Sequence, residues 1–407
     1  MESFEIELPD ADDSGSSAGR LTGIGRPRQS LAGAQRRASR TRRILCPVTL
    51  TIRDDAPLAP LTTLELGGPA RHFVEAHDDD TVSEALRWAY ERGLRVLILG
   101  GGSNVVVADA GFDGLVVRIK TRGRHIDADT GTVTAAAGEP WDALVAETVS
   151  RGLAGLECLS GIPGLVGATP IQNVGAYGQE VAETIRRVRV LERPSGMHYD
   201  LPPGDCAFAY RDSAFKRDPD RFVVLGVTFA LRPGGAPTLR YGELTDALSG
   251  HTGPPPSLTD ARGAVLALRR LKSMVIVDGD PNRRSVGSFF TNPIVSEHEA
   301  EAVAARAVEV GAVAAPGDMP RWPAQAGGVK LSAGWLIERA GIGKGLRRGA
   351  VGVSTAHALA LVHHGGGSTA ALLELAREVR DAVRAKFAIA LTPEPTLIGM
   401  AWFGTQT

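Results

Sequence analysis

Three sets of residues in this 407-residue chain could carry chemistry, and the first is Leu99-Gly100-Gly101-Gly102-Ser103-Asn104. Consecutive glycines let successive backbone N–H groups converge on one anion, and Ser103 and Asn104 add side-chain donors. A Gly-rich turn after a strand is also a common plain turn. It is not GxGxxG, which disfavours a Rossmann site. The second set is Gly155-Leu156-Glu157-Cys158-Leu159-Ser160-Gly161-Ile162-Pro163-Gly164, followed by Gly167-Ala168-Thr169-Pro170-Ile171-Gln172-Asn173-Val174-Gly175-Ala176-Tyr177-Gly178. So much glycine and proline with so few charges makes a poor surface loop and a poor helix. It suits a chain wrapped around a flat cofactor, with backbone donors doing the binding. The third set is Tyr210-Arg211-Asp212-Ser213-Ala214-Phe215-Lys216, Gly287-Ser288-Phe289-Phe290-Thr291-Asn292-Pro293 and Pro393-Glu394-Pro395. Taken singly, Arg211 reads as a surface ion pair, Ser288 as a turn residue and Glu394 as an exposed loop carboxylate.

These blocks need elements to hold them. Thr81 and Glu84 have capping-box spacing, Val82, Ala85, Leu86 and Ala89 recur with a helical period, and Gly93 stops that helix. Arg95 to Leu99 reads as a buried strand running into the triple glycine. Further β-rich runs are Leu115 to Ile119, Val133 to Ala137, Val188 to Leu191, Met197 to Leu201 and Phe222 to Leu231. Pro194-Ser195-Gly196 turns the third of these runs into the fourth. Trp141, Leu144, Val145 and Val149 mark a helix. Beyond residue 270 helices dominate, over Glu297 to Val310, Gly334 to Ala340 and Ser368 to Phe387. The expected architecture is α+β, in several domains with mixed sheets.

Composition excludes several classes. Charged residues make up 22% and hydrophobic residues 43%, the balance of an ordinary globular protein. A net charge of −1 gives no global field toward nucleic acid or an acidic membrane surface. No apolar run is long enough to span a bilayer, and the N-terminus lacks the apolar core of a signal peptide. The 3 cysteines, Cys46, Cys158 and Cys206, form no CxxC pair, which fits a reducing cytoplasm. None of the 9 histidines forms an HxxxH or HxH pair, and His363-His364 has no suitable partner in sequence, so no metal is expected. Met1 to Pro47 combines an acidic stretch with an arginine-rich run, and reads as a disordered tail rather than a nucleic-acid arm. A start of translation near Val48 is a third reading of that segment.

Together the motifs resemble the UDP-N-acetylenolpyruvoylglucosamine reductases, over a stretch from about Pro60 to Gly399. Tyr210 to Lys216 is similar to the family's YRxSxFK block, Gly287 to Pro293 to its GSFFxNP block and Pro393 to Pro395 to its PE block. The resemblance implies an FAD-binding domain of the para-cresol methylhydroxylase type, made of two α+β subdomains, plus a C-terminal α+β substrate-binding domain. The expected division is a tail over 1–50, subdomains over 51–118 and 119–273, a substrate domain over 274–390, and a C-terminal segment over 391–407 carrying Glu394.

By the same resemblance Gly100, Gly101, Gly102, Ser103 and Asn104 would hold the FAD diphosphate. Gly161, Ile162, Pro163, Gly164, Gln172, Asn173, Gly175, Ala176 and Tyr177 would line the flavin. Arg211, Ser288 and Glu394 would be catalytic, Arg211 as the fixed cation and Ser288 as the proton donor. Glu394 would be protonated or strongly paired to Arg211, because an ionised carboxylate beside a developing anion is unfavourable. Tyr210, Tyr241, Lys272, Asn292, Lys330 and His357 would bind substrate. Tyr241 matches the loop tyrosine of the family's longer subclass and Lys272 the lysine that meets the UDP diphosphate. His357 departs from the glutamine of some members. The implied activity is NADPH-dependent reduction of UDP-N-acetylglucosamine enolpyruvate by a cytoplasmic monomer without nucleic-acid or membrane partners. An oxygen-reacting oxidase of the same superfamily and a catalytically dead binding protein are the competing readings.

Overall fold

The computed structural model describes residues 49–250, 254–324 and 327–402. Apart from Thr49 and Leu50, the expected tail lies outside them, as does Cys46. The first sheet runs in the order Arg53–Pro57, Pro69–Ala76, Phe112–Ile119, Val96–Leu99, its last three strands parallel. The helix Asp79–Glu91 links two of them and buries Val82, Ala85 and Ala89, the stripe its periodicity announces. Its start differs from the expected capping box. Asp78 is the N-cap and accepts from the Thr81 N–H at 2.7 Å, because an aspartate one turn earlier offers the better-placed acceptor.

A five-stranded antiparallel sheet follows, in the order Met197–Leu201, Ile185–Glu192, Phe222–Ala230, Thr132–Ala136, Arg124–Asp127. Trp141–Ser150 packs its apolar face here, with the Trp141 indole donating to the Leu159 carbonyl at 3.0 Å. One continuous core joins both sheets, from Val74 and Leu115 through Trp141 to Val188 and Phe229.

A second large core belongs to the C-terminal half. Its sheets are Ser285–Ser288, Ala360–His363, Val351–Val353, Arg347–Arg348 and Ile294–Val295, Val329–Leu331, Arg321–Pro323. Helices Glu297–Glu309, Ala333–Arg339 and Thr369–Phe387 cover them. Ser368 caps the last of these, as expected, and Asp109 from the first half accepts from the Thr369 and Ala370 N–H groups at 2.7 and 2.9 Å. The chain then returns: Thr396–Ile398 pairs in parallel with Val105–Val107, directly after the triple glycine. That return brings Glu394 to the other functional blocks. The helix Leu258–Leu271, with its Ser257–Asp260 capping box, was not anticipated. Among the described residues no helix is long and apolar enough to cross a membrane.

Candidate active site

The strand Val96–Leu99 ends in the triple glycine, whose second and third positions leave little or no room for side chains. A Cβ on Gly102, at φ +67°, would meet the Leu61 carbonyl oxygen at 2.0 Å, and one on Gly101 would meet the Gly164 Cα at 3.0 Å. Ser103 Oγ donates to the Pro163 carbonyl at 3.2 Å, so the two glycine-rich loops stack on each other. Between these loops and the strands beside them lies a cavity of about 570 Å3.

Gly100 to Asn104, Ile162, Pro163, Gln172, Gly175, Arg211, Ser288 and Glu394 all line that cavity. Its other walls are largely apolar, including Leu97, Leu99, Val105, Val224 and Val275. Arg269, on the unanticipated helix, also lines it; its Nε is buried without a hydrogen-bond partner, and burial lowers its pKa. A largely apolar space lined by close-packed glycine backbone and by an arginine with an orphaned guanidinium nitrogen fits an anionic cofactor such as FAD.

The catalytic candidates converge through main-chain contacts. The Glu394 N–H donates to the Phe289 carbonyl at 2.9 Å, and the Phe289 N–H to the Leu359 carbonyl at 2.7 Å. Glu394 is therefore placed one residue from Ser288, whose strand pairs Ser288 with Ala360. Arg211 Nε lies 3.6 Å from Glu394 Oε1, with side-chain exposures of 18% and 16%. Gln172 donates to the same carboxylate oxygen at 3.4 Å and accepts from Asn104. At this separation the ion pair attracts by about 4 kcal/mol in a protein-like dielectric, and removing each ion from water costs several kcal/mol. Burial wins: it raises the Glu394 pKa, against the opposing pull of Arg211 and Lys216. The surroundings of Glu394 thus hold an arginine 3.6 Å away and a burial that raises its pKa.

Other predicted residues lie outside the cavity lining. Gly161 donates its N–H to Asp142 at 2.6 Å, and Gly164 sits behind Gly101. Asn173 is buried, with its amide on Glu180 and the Ala209 carbonyl at 2.8 and 3.0 Å, so it shapes the loop from behind. Ala176 pairs with Gln179. Tyr177 stands in a separate group: its ring is 5.5 Å from that of Tyr241, edge to face, and 5.9 Å from Lys272 Nζ. Tyr241 caps the helix Gly242–Leu248, and Glu243 on that helix accepts from Lys272 at 2.6 Å. A third group joins Tyr210, Asn292 and Lys330. Lys330 Nζ is 5.3 Å from the Tyr210 ring, and Asn292 Oδ1 accepts from the Ala333 N–H at 2.9 Å. Burial raises the Tyr210 pKa even with Asn292 hydrogen-bonded to it.

Burial lowers the His357 pKa to about 4, helped by Lys272, Lys344 and Arg269. With its ordinary value near 6.5, His357 contributes stability that is intact above pH 6.5 and lost as pH falls toward 4, where the unfolded chain binds the proton first. An NMR titration is expected to show a neutral imidazole until near pH 4, and Lys272→Met should move the midpoint upward. A midpoint at 6.5 in the native protein would contradict the cationic surroundings. His363, by contrast, is a satisfied core histidine, with Nδ1 2.9 Å from the Leu64 carbonyl and Nε2 accepting from the Gly367 N–H at 3.0 Å. No metal-binding cluster occurs among the described residues.

Two features of the glycine-rich stretch escaped sequence reasoning. Glu157 is fully buried, and such a carboxylate needs donors. It accepts from the Gly155 N–H at 2.7 Å, the Thr238 N–H at 2.8 Å and Gln179 at 3.2 Å. Asp142 is bidentate to Arg262 at 2.6 and 2.9 Å while holding Gly161. Only a lone acid among apolar residues could have signalled either one.

The fold and the cavity fit the class of flavin-binding proteins. Residues 70–201 match the FAD binding domain family, and residues 280–398 match the C-terminal domain family of UDP-N-acetylenolpyruvoylglucosamine reductase. The chain is 53% identical over 351 residues to the UDP-N-acetylenolpyruvoylglucosamine reductase of Saccharopolyspora erythraea, covering 84% of this chain and 95% of that one. The enzyme of Salinispora arenicola is 50% identical over 352 residues, with the same coverage. The crystal structure of the Thermus caldophilus reductase shares the fold, with a TM-score of 0.59, 24% identity and coverage of 86% and 99%. This chain belongs to the UDP-N-acetylenolpyruvoylglucosamine reductase family.

Proposed function

We propose that this protein reduces UDP-N-acetylglucosamine enolpyruvate to UDP-N-acetylmuramate, with FAD as the bound cofactor and NADPH as the hydride donor. One observation carries the reading: Arg211, Ser288 and Glu394, from three distant blocks, line a single flavin-sized cavity. FAD, when bound, supplies the hydride that the terminal carbon of the enol ether accepts. Gly100 to Asn104 would hold its diphosphate, and Ile162, Pro163, Gln172 and Gly175 would flank its ring. Hydride addition drives charge onto the substrate carboxylate, and Arg211 is the fixed cation for it. Burial raises the Glu394 pKa and Arg211 lies beside it, and both limit the opposing charge it would bring to that carboxylate. Ser288 delivers the proton to the neighbouring carbon. The Tyr241–Lys272 and Tyr210–Asn292–Lys330 groups would receive the nucleotide and sugar.

The reading includes a cytoplasmic monomer divided as 51–118, 119–273, 274–390 and 391–407. Cys158 and Cys206, the described cysteines, are buried free thiols, with burial pushing each up to about 12, which suits a reducing compartment. The test is optical. The purified protein should show flavin bands near about 370 and 450 nm that NADPH bleaches and the enolpyruvyl nucleotide restores. Rapid recovery in air alone identifies an oxidase, and absence of flavin a dead relative.

Tyr241 provides a narrower check. Its ring meets that of Tyr177 edge to face and the residue is 45% accessible, so Tyr241→Phe, which removes only the hydroxyl, leaves the packing alone. Substrate affinity should fall about tenfold or more, the cost of a hydrogen bond to a charged group, with flavin content unchanged. Loss of flavin in that variant would assign Tyr241 a structural role instead.

A further inference from the structure

Lys216 lines the same cavity, and nothing above gives it a task. Its place follows from the local fold of its motif. Ser213 is fully buried; its hydroxyl donates to the Ile171 carbonyl at 2.5 Å and accepts from the Lys216 N–H at 3.2 Å, starting the short helix Ala214–Arg217. Phe215 enters the core against Phe222, with ring centres 6.1 Å apart. Lys216 then turns back, and its Nζ donates to the Arg211 carbonyl at 2.9 Å.

That carbonyl belongs to a strained residue. Arg211 has φ +102°, which costs a side-chain-bearing residue about 1–3 kcal/mol and persists only where the surroundings over-determine it. Four contacts do so. The Arg211 N–H donates to the Ala209 carbonyl at 2.5 Å, and the guanidinium donates to the carbonyls of Asn173 and Gly175 at 3.1 and 2.5 Å. Lys216 supplies the fourth, at the carbonyl end of the strained residue.

We propose that Lys216 is a positioning residue for the reduction: it holds the Arg211 main chain in its left-handed conformation and thereby fixes the guanidinium beside Glu394. The proposal rests on the roles given to Arg211 and Glu394 above. Lys216 also acts by charge. Glu394, Asp212 and Arg211 are the charged groups that bear on it, and Arg211 and Lys216 are those that bear on Glu394. Burial lowers the Lys216 pKa and raises that of Glu394, so each partner moderates the other's cost of being buried. Removing the Lys216 charge therefore raises the Glu394 pKa further.

Lys216→Met and Lys216→Arg holoenzymes separate positioning from bulk structure. In a crystal structure of Lys216→Met, Arg211 is expected to leave the positive-φ region and its guanidinium to move away from Glu394; in Lys216→Arg both should stay. Reoxidation of the reduced enzyme by the enolpyruvyl nucleotide should slow on the order of 10²-fold in Lys216→Met, the penalty for a displaced catalytic group, with recovery in Lys216→Arg. The limb of the pH profile that reports Glu394 should shift to higher pH in Lys216→Met only. An unmoved Arg211 in Lys216→Met overturns the proposal, and so does an equal loss in both variants with an unmoved limb. If the native enzyme does not turn over the enolpyruvyl nucleotide, the functional reading fails by itself, and the Arg211 backbone in the variant crystal still decides the role of Lys216.

Discussion

Ser288→Ala enzyme, bleached anaerobically with NADPH, is expected to stay bleached when the enolpyruvyl nucleotide is added. The two half-reactions share one pocket and need different groups. Reducing the cofactor delivers no proton to carbon, whereas completing the enol ether reduction does. Ser288 sits half-buried at the end of its strand, where alanine fits, so the pocket should survive the change. General acid catalysis contributes about 10²–10⁴-fold, and that is the predicted slowing of reoxidation in stopped-flow absorbance. Burial raises the pKa of Glu394 nearby, so the result also asks whether that carboxyl can stand in. Reoxidation at the native rate would remove Ser288 from the role of acid.

Replacing Arg211 by methionine should lower kcat/KM for the enolpyruvyl nucleotide by about 10²–10³-fold, the usual loss when a preorganised charge stabiliser is removed. Two consequences of the geometry sharpen the expectation. The guanidinium donates to the Asn173 and Gly175 carbonyls, which fix its orientation, and Arg211→Lys cannot reproduce that fork. Arg211→Lys should therefore recover only part of the loss. Glu394 also loses one of its two cationic neighbours, and its titration in the pH profile should move upward. A variant with native kcat/KM and an unmoved profile would show that the charge develops elsewhere.

Much of this molecule was readable in the order of its residues. The apolar periodicity of Val82, Ala85 and Ala89, the Ser368 cap and the strand runs predicted elements that the fold contains within a few residues. Those signals are local, because capping and amphipathic spacing act within a turn or a strand pair. The glycine loop was also legible, since only glycine tolerates φ +67° with the Leu61 carbonyl so close. The roles of Arg211, Ser288 and Glu394 came from resemblance, because an arginine, a serine and a glutamate in isolation look like surface residues.

The sequence by itself determined the building blocks and the chemical types at the site: a strand ending in glycines, a cation, a hydroxyl and a carboxylate. Only the tertiary structure decided that they meet. Glu394 reaches the cavity because the chain returns after the C-terminal half, pairs Thr396–Ile398 with Val105–Val107 and bonds its own N–H to Phe289. The strain at Arg211, the grip of Lys216 and the orphaned Arg269 nitrogen were equally invisible, as was the grouping of Tyr177 with Tyr241 rather than with the cavity. The physical reason is range. A turn or a cap is set by residues three or four apart, whereas the burial that raises the Glu394 pKa comes from blocks nearly 300 residues apart, and nothing local records how they pack.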